Sequence, residues 1–156
     1  MRKAARAGRG LLAGSIAERY VPLVDVDNGL DMRCHDYHLS RYEVADGGKT
    51  VVLHLVRGYP GEEIDRSCIT FHEVAFYNFI HTDGAIITDI DEISIQEFIA
   101  ECGEQLKEWD RKYGLRLFEN LDSYAETLQN SRYKVWRVES AIGFFGLVVA
   151  REVKNT

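Results

Sequence analysis

Proline, cysteine and long apolar runs are all scarce in this sequence. It has two prolines among 156 residues, and its longest apolar run near the end is Phe144–Ala150. A membrane-spanning helix needs roughly 20 apolar residues, so no transmembrane segment is predicted. The three cysteines are an odd number and too few for a disulfide framework. We therefore expect a reducing compartment, the cytoplasm.

An excess of positive charge is also missing. The formal net charge is −6, which argues against nucleic-acid binding because phosphate contacts need clustered Lys and Arg. The glycine-rich phosphate loops and the G-x-S-x-G nucleophile motif are absent as well. No cofactor is predicted.

The composition is that of a folded globule, with 46% hydrophobic and 28% charged residues. A chain of this length favours one domain. We assign residues 19–156 to a single α+β domain. Residues 1–18 are predicted to be a weakly structured N-terminal extension, which is basic because its first nine residues carry Arg2, Lys3, Arg6 and Arg9 without an acid.

The clearest pattern is an amphipathic helix from Ser94 to Gly114. Ser94 and Glu97 form a capping box, and Gly114 stands where a left-handed C-terminal cap is favoured. Apolar residues recur between them with the period of one buried helical stripe: Ile95, Phe98, Ile99, Cys102, Leu106, Trp109 and Tyr113. We expect this helix to cover a β-sheet formed by the segments on either side.

Those flanking segments have the composition and spacing of strands. Strands are predicted within 20–44, 50–56, 68–80, 85–90 and 133–153, with turns at 27–29, 46–48, 59–62, 82–84 and 140–143 and a bend near 72–73. A second helix is predicted at 117–128. Short turns favour antiparallel pairing and grouped helices favour an α+β fold. We predict a twisted antiparallel sheet, made of a meander and a C-terminal hairpin, with two helices packed on one face.

Acidic residues are concentrated around the first helix. Residues 83–126 carry twelve acids and four bases, a local balance of −8. A solvated helix surface explains much of this excess, and an acidic face that docks a basic partner is the functional alternative. The candidate partner-binding residues are Glu101, Glu104, Glu108 and Asp110.

Cys34, Asp36 and His38 form the candidate set for chemistry. Strand alternation would place all three side chains on one face. A thiol, a carboxylate and an imidazole could bind zinc or form a nucleophile and its base, although a zinc site needs a further ligand. The alternative is a half-exposed strand with a polar rim. His54, His72 and His81 have no ligand spacing and are interpreted as sheet histidines.

Four segments resemble a loose group of small bacterial proteins that includes immunity-type proteins of toxin systems. They are His35-Asp36 followed by Leu39, the strand TVVLHLV (50–56), the segment ITFHEV (69–74) and the ending ESAIGFFGLVVARE (139–152). The resemblance covers about residues 34–92 and 132–153. It implies a non-catalytic binding role.

The leading hypothesis is a cytoplasmic, non-enzymatic protein that binds another protein, as an immunity protein blocking a cognate toxin would. The rival hypothesis is a small metal-dependent or cysteine hydrolase that uses Cys34, Asp36 and His38. A third is a subunit whose apolar surface is buried in a homo-oligomer.

Overall fold

A computed structural model describes residues 34–61, 63–114 and 118–156 of the chain. The predicted basic extension at 1–18 and the first predicted hairpin, up to residue 33, lie outside the described residues. The fold is α+β: a six-stranded antiparallel sheet curls into a half-barrel, and two helices pack against it. This confirms the predicted fold class.

The described part of the chain contains six strands, two α-helices and one turn of 3-10 helix at Asp46–Gly48. In chain order the strands are β1 (Tyr37–Ala45), β2 (Thr50–Arg57), β3 (Asp65–His72), β4 (Phe76–Ile93), β5 (Lys134–Ala150) and β6 (Glu152–Asn155). The helices α1 (Ile95–Tyr113) and α2 (Leu121–Asn130) connect β4 to β5. The strand order in the sheet is β5-β4-β1-β2-β3-β6. Strands β1, β2 and β3 form a meander as predicted, with β2 in its centre. The meander ends there, because β4 pairs with β1 and β5 and not with β3.

The sheet is strongly curled, so that its two edge strands, β5 and β6, can be consecutive in the chain. Only Arg151 separates β5 from β6, yet these strands lie at opposite ends of the strand order. Phe71 on β3 and Trp136 on β5 meet across the interior, with ring centroids 5.7 Å apart. The Arg151 side chain donates a hydrogen bond to Glu73 at 2.7 Å, which ties this corner to the end of β3.

The sheet has one apolar core on each side. The inner core receives buried side chains from all six strands, among them Leu53, Phe71 and Trp136. The outer core lies between the helices and β4–β5, where Phe98 and Leu106 of α1 are almost fully buried. The predicted helical stripe is therefore confirmed over most of its length. Tyr113, at its end, is 61% exposed, which corrects that part of the prediction.

Both ends of α1 follow the sequence signals. Ser94 and Glu97 form the reciprocal capping box, and Gly114 adopts the left-handed conformation with φ +60°. Helix α2 begins later than predicted because Asn120 caps it, accepting a hydrogen bond from the backbone of Ser123 at 2.8 Å.

Two predicted turns, at 82–84 and 140–143, do not reverse the chain. They lie inside the long strands β4 and β5 and form an irregularity in their pairing, in which residues 82–85 of β4 oppose Gly143 of β5. Gly84 and Gly143 have positive φ angles of +78° and +82°, and these glycines form part of a β-bulge and not of a hairpin turn. The C-terminal segment is therefore one long strand followed by β6. The bend predicted at 72–73 is confirmed, since Glu73 has φ +50° and β3 ends there.

Neither α1 nor α2, the helices of the described residues, combines the length and the apolar character that crossing a bilayer requires.

The outer core predicts a measurable role for Leu106, which is 1% exposed. Leu106→Ala should lower the free energy of unfolding by about 2–5 kcal/mol, because it removes buried methyl groups and leaves a cavity. The measurement is urea denaturation followed by circular dichroism. Gln96→Ala, at an exposed position of the same helix, is the control and should change stability by less than about 0.5 kcal/mol. Equal losses in the two variants would contradict the packing of α1.

The geometry of the bulge predicts that alanine substitutions at Gly84 and Gly143 lower the free energy of unfolding by different amounts. A Cβ at Gly143 would lie 3.0 Å from backbone atoms of Ala85 and Asp83, whereas a Cβ at Gly84 would meet nothing within 4 Å. Gly84→Ala should lower the free energy of unfolding by about 1 kcal/mol, because alanine is strained at this positive φ. Gly143→Ala should cost at least about 1 kcal/mol more, because its new methyl group also collides with β4. Thermal and urea unfolding of both variants check this, and an equal loss would contradict the observed pairing.

Candidate functional site

The structure separates the three residues that were predicted to share a strand face. Strand β1 begins at Tyr37, so alternation does not apply to Cys34 and Asp36. Cys34 is buried in the inner core at 2% exposure. Asp36 lies in an exposed turn with φ +67°, and His38 is exposed on β1. The prediction of a common strand face for Cys34, Asp36 and His38 is therefore wrong.

The surroundings of Cys34 also keep its thiol unreactive. Burial, with a smaller contribution from the negative charge of Asp89, raises the pKa of Cys34 from 9.0 to about 11. A thiol with this pKa stays protonated at neutral pH, and the thiolate is the nucleophilic form. Across the described ranges, no group of three or more His, Cys, Asp and Glu side chains is arranged to hold a metal ion.

The four acids predicted on α1 do not form one continuous face. Glu101 accepts a hydrogen bond from Arg137 of β5, so it ties the helix to the sheet. Glu104 pairs with Lys107 at 2.7 Å and is 90% exposed. Asp110 follows Glu101 by nine positions, about two and a half helical turns, and therefore lies on the opposite side of α1, where it is half-buried. Glu101, Glu104 and Glu108 remain together on the solvent side.

The sheet extends this acidic region beyond the helix. Asp89 and Asp91 on β4 are exposed and lie opposite Glu139 and Arg137 of β5. Arg137 reaches Glu101 on α1, so the outer ends of β4 and β5 are continuous with the solvent side of the helix. We call the following set the acidic surface: Asp89, Asp91, Glu97, Glu101, Glu104, Glu108 and Glu139.

One pair in the acidic surface is unfavourable within the protein itself. Asp89 and Glu139 are directly opposite each other on adjacent strands. Like charges in this position destabilise a sheet. The sequence shows these acids, but it does not show their pairing, because the register of β4 against β5 depends on the bulge between them.

Glu97 belongs to the acidic surface and to the helix cap at once. Its carboxylate accepts hydrogen bonds from the hydroxyl and the backbone N–H of Ser94, at 2.7 and 2.9 Å. These bonds lower the pKa of Glu97, and the positive charge of Arg137 lowers it further. The charge of Glu97 is thus held at the start of the helix, where the helix dipole favours a negative group.

A second polar group lies on the outer face of the meander and contains none of the residues predicted for chemistry. Cys68 Sγ on β3 is 3.3 Å from His54 Nδ1 on β2, and His54 Nε2 is 3.0 Å from Glu43 Oε1 on β1. His54 was interpreted as a sheet histidine without a ligand. A signal was present: His54 and Cys68 are equally distant from Gly61 in the predicted turn, so a hairpin centred there pairs them.

Comparison of the chain with protein-family models, with curated proteins and with solved structures finds no match.

Proposed function

We propose that this protein is a non-enzymatic binding protein that captures a basic protein partner on the acidic surface. The observation that carries the proposal is the like-charge pair of Asp89 and Glu139, which belongs to an acidic region that extends over β4, β5 and α1. An arrangement that costs stability in the isolated protein is expected where those charges act on another molecule.

The helix contributes a stripe of acids to this surface. Glu97, Glu101, Glu104 and Glu108 are spaced by three or four residues, which aligns them along one side of α1. Exposed charges of this kind contribute little to folding stability. Their collective field, however, speeds the encounter with an oppositely charged protein and rejects partners of like charge.

The resemblance to immunity-type proteins supports a more specific form of the proposal. The partner would be a bacterial toxin domain with a basic surface, and binding would block that surface. Such a partner is consistent with the net charge of −6. Binding of this kind needs no catalytic group from this chain.

Reversing charges on the acidic surface should weaken partner binding while the fold is retained. The test variant is Asp89→Lys with Glu104→Lys and Glu108→Lys, and we expect the dissociation constant to rise roughly tenfold or more. The partner is captured from the native host with the unaltered protein and identified by mass spectrometry. Affinities are then measured by calorimetry at low and at moderate salt, where the wild-type affinity should fall with ionic strength.

A control with the same change in net charge separates the acidic surface from a general charge effect. Glu63→Lys, Glu126→Lys and Glu152→Lys alter exposed acids on the β2–β3 loop, α2 and β6. This control should bind like the wild type, and both triple variants should melt within a few degrees of it. Equal affinity of the test variant and the wild type would overturn the proposed surface.

A further inference from the structure

The outer face of the meander carries a thiol, an imidazole and a carboxylate in a chain of contacts. Leu53 and Leu55 of β2 point into the inner core, so His54 between them points outward. His54 is directly opposite Cys68 in the register of β2 and β3. Glu43 approaches the ring from the other side, on β1. Three neighbouring strands thus hold the three groups in place.

The contacts determine which ring nitrogen accepts a proton. A carboxylate can only accept a hydrogen bond, so the Nε2 atom that faces Glu43 carries the hydrogen. In the neutral ring, Nδ1 is then the acceptor, and it faces the thiol of Cys68 at 3.3 Å. Transfer of the thiol proton to Nδ1 would produce a thiolate beside an imidazolium, and Glu43 would stabilise the positive ring.

Positive side chains flank this thiol. Cys68 and His54 open into a surface groove of about 370 Å³, and Arg41 and Arg66 line the same groove. Arg41 is the direct neighbour of His54 on β1. Guanidinium groups that line this groove attract an anionic reagent.

The backbone at Cys68 limits the chemistry that the site can perform. Its N–H donates to the backbone oxygen of Thr156 at 2.6 Å, and its own carbonyl accepts from the N–H of Thr156 at 2.9 Å. The amide that would stabilise the oxyanion of an acyl transfer is therefore already engaged. Thiol–disulfide exchange needs a thiolate and a proton donor for the leaving sulfur, and it needs no such amide.

We propose that Cys68 is a nucleophilic thiol that exchanges with small anionic disulfides and retains one half of the reagent as a mixed disulfide. The Cys68 sulfur forms a bond to one sulfur of the reagent while the bond between the two reagent sulfurs breaks. The electron pair of that bond leaves with the released thiolate, which takes the proton from His54. Cys68 is oxidised and the departing sulfur is reduced, so no further reagent is needed.

The other two described cysteines serve as internal references. Cys34 and Cys102 are 2% and 4% exposed, and burial raises the pKa of both thiols. In the native protein the reagent should therefore modify Cys68 first. Peptide mass spectrometry locates the adduct in the unaltered chain, so the assignment does not depend on a cysteine variant that could fail to fold.

The test compares two disulfides of opposite charge at neutral pH: dithiobis(nitrobenzoate), with two carboxylates, and cystamine, with two ammonium groups. We expect one rapid equivalent at Cys68, faster than the thiols of the same chain unfolded in urea. The ratio of the rate with the anionic reagent to the rate with cystamine should also exceed the ratio found for the unfolded chain, because the leaving group alone sets the latter. Arg41→Gln combined with Arg66→Gln should reduce the preference for the anionic reagent by several-fold. A merely accessible cysteine would react more slowly in the folded chain than in the unfolded one.

Substitution of His54, compared with a matched substitution of His72, tests whether the imidazole speeds the reaction of the thiol. His54→Gln should slow the reaction at Cys68 roughly tenfold or more, whereas His72→Gln, at another outward-facing position of β3, should leave it unchanged. Thermal unfolding and circular dichroism establish that both variants are folded. Three results would each overturn the proposal. One is modification of Cys34 or Cys102 before Cys68, and another is a reaction that is slower in the native chain than in the unfolded chain. The third is a reaction rate that His54→Gln leaves unchanged.

Discussion

The contact between Phe71 and Trp136 across the interior of the sheet is the constraint on which the rest of the fold depends. Their strands are separated by β4, β1 and β2 in the strand order, so the two rings can meet only if the sheet is strongly curled. The same curl brings the two edges so close that Arg151 alone carries the chain from β5 to β6. Burial of these large apolar side chains favours the curled form.

Because the sheet is curled, its two faces have different environments. The inner face is filled by side chains of all six strands, and most of them are almost fully buried, as is Cys34. The outer face is covered by α1 and α2 at the β4–β5 end. The polar groups that we propose to meet a partner or a reagent lie at the margins of the helices, as Asp89 and Glu139 do, or on the outer face of the meander, as Cys68 does.

The three cysteines show how strongly reactivity depends on this division. Cys34 faces the inner core and Cys102 lies on the buried face of α1, so burial raises the pKa of both thiols. Cys68 lies on the outer face and touches an imidazole. Sequence spacing places all three on apolar or alternating segments and does not distinguish them, because the distinguishing neighbours come from other strands.

By itself, the sequence determined the local elements: the capped helix from Ser94 to Gly114, the strand at β2 and the bend at Glu73, which follow from short-range periodicity and backbone geometry. It also predicted the fold class. Tertiary structure alone decided that 82–84 and 140–143 form a bulge and not turns, and that His54 meets Cys68 and Glu43. These outcomes depend on strand register and on the curl of the sheet, which arise from side chains far apart in the chain packing together.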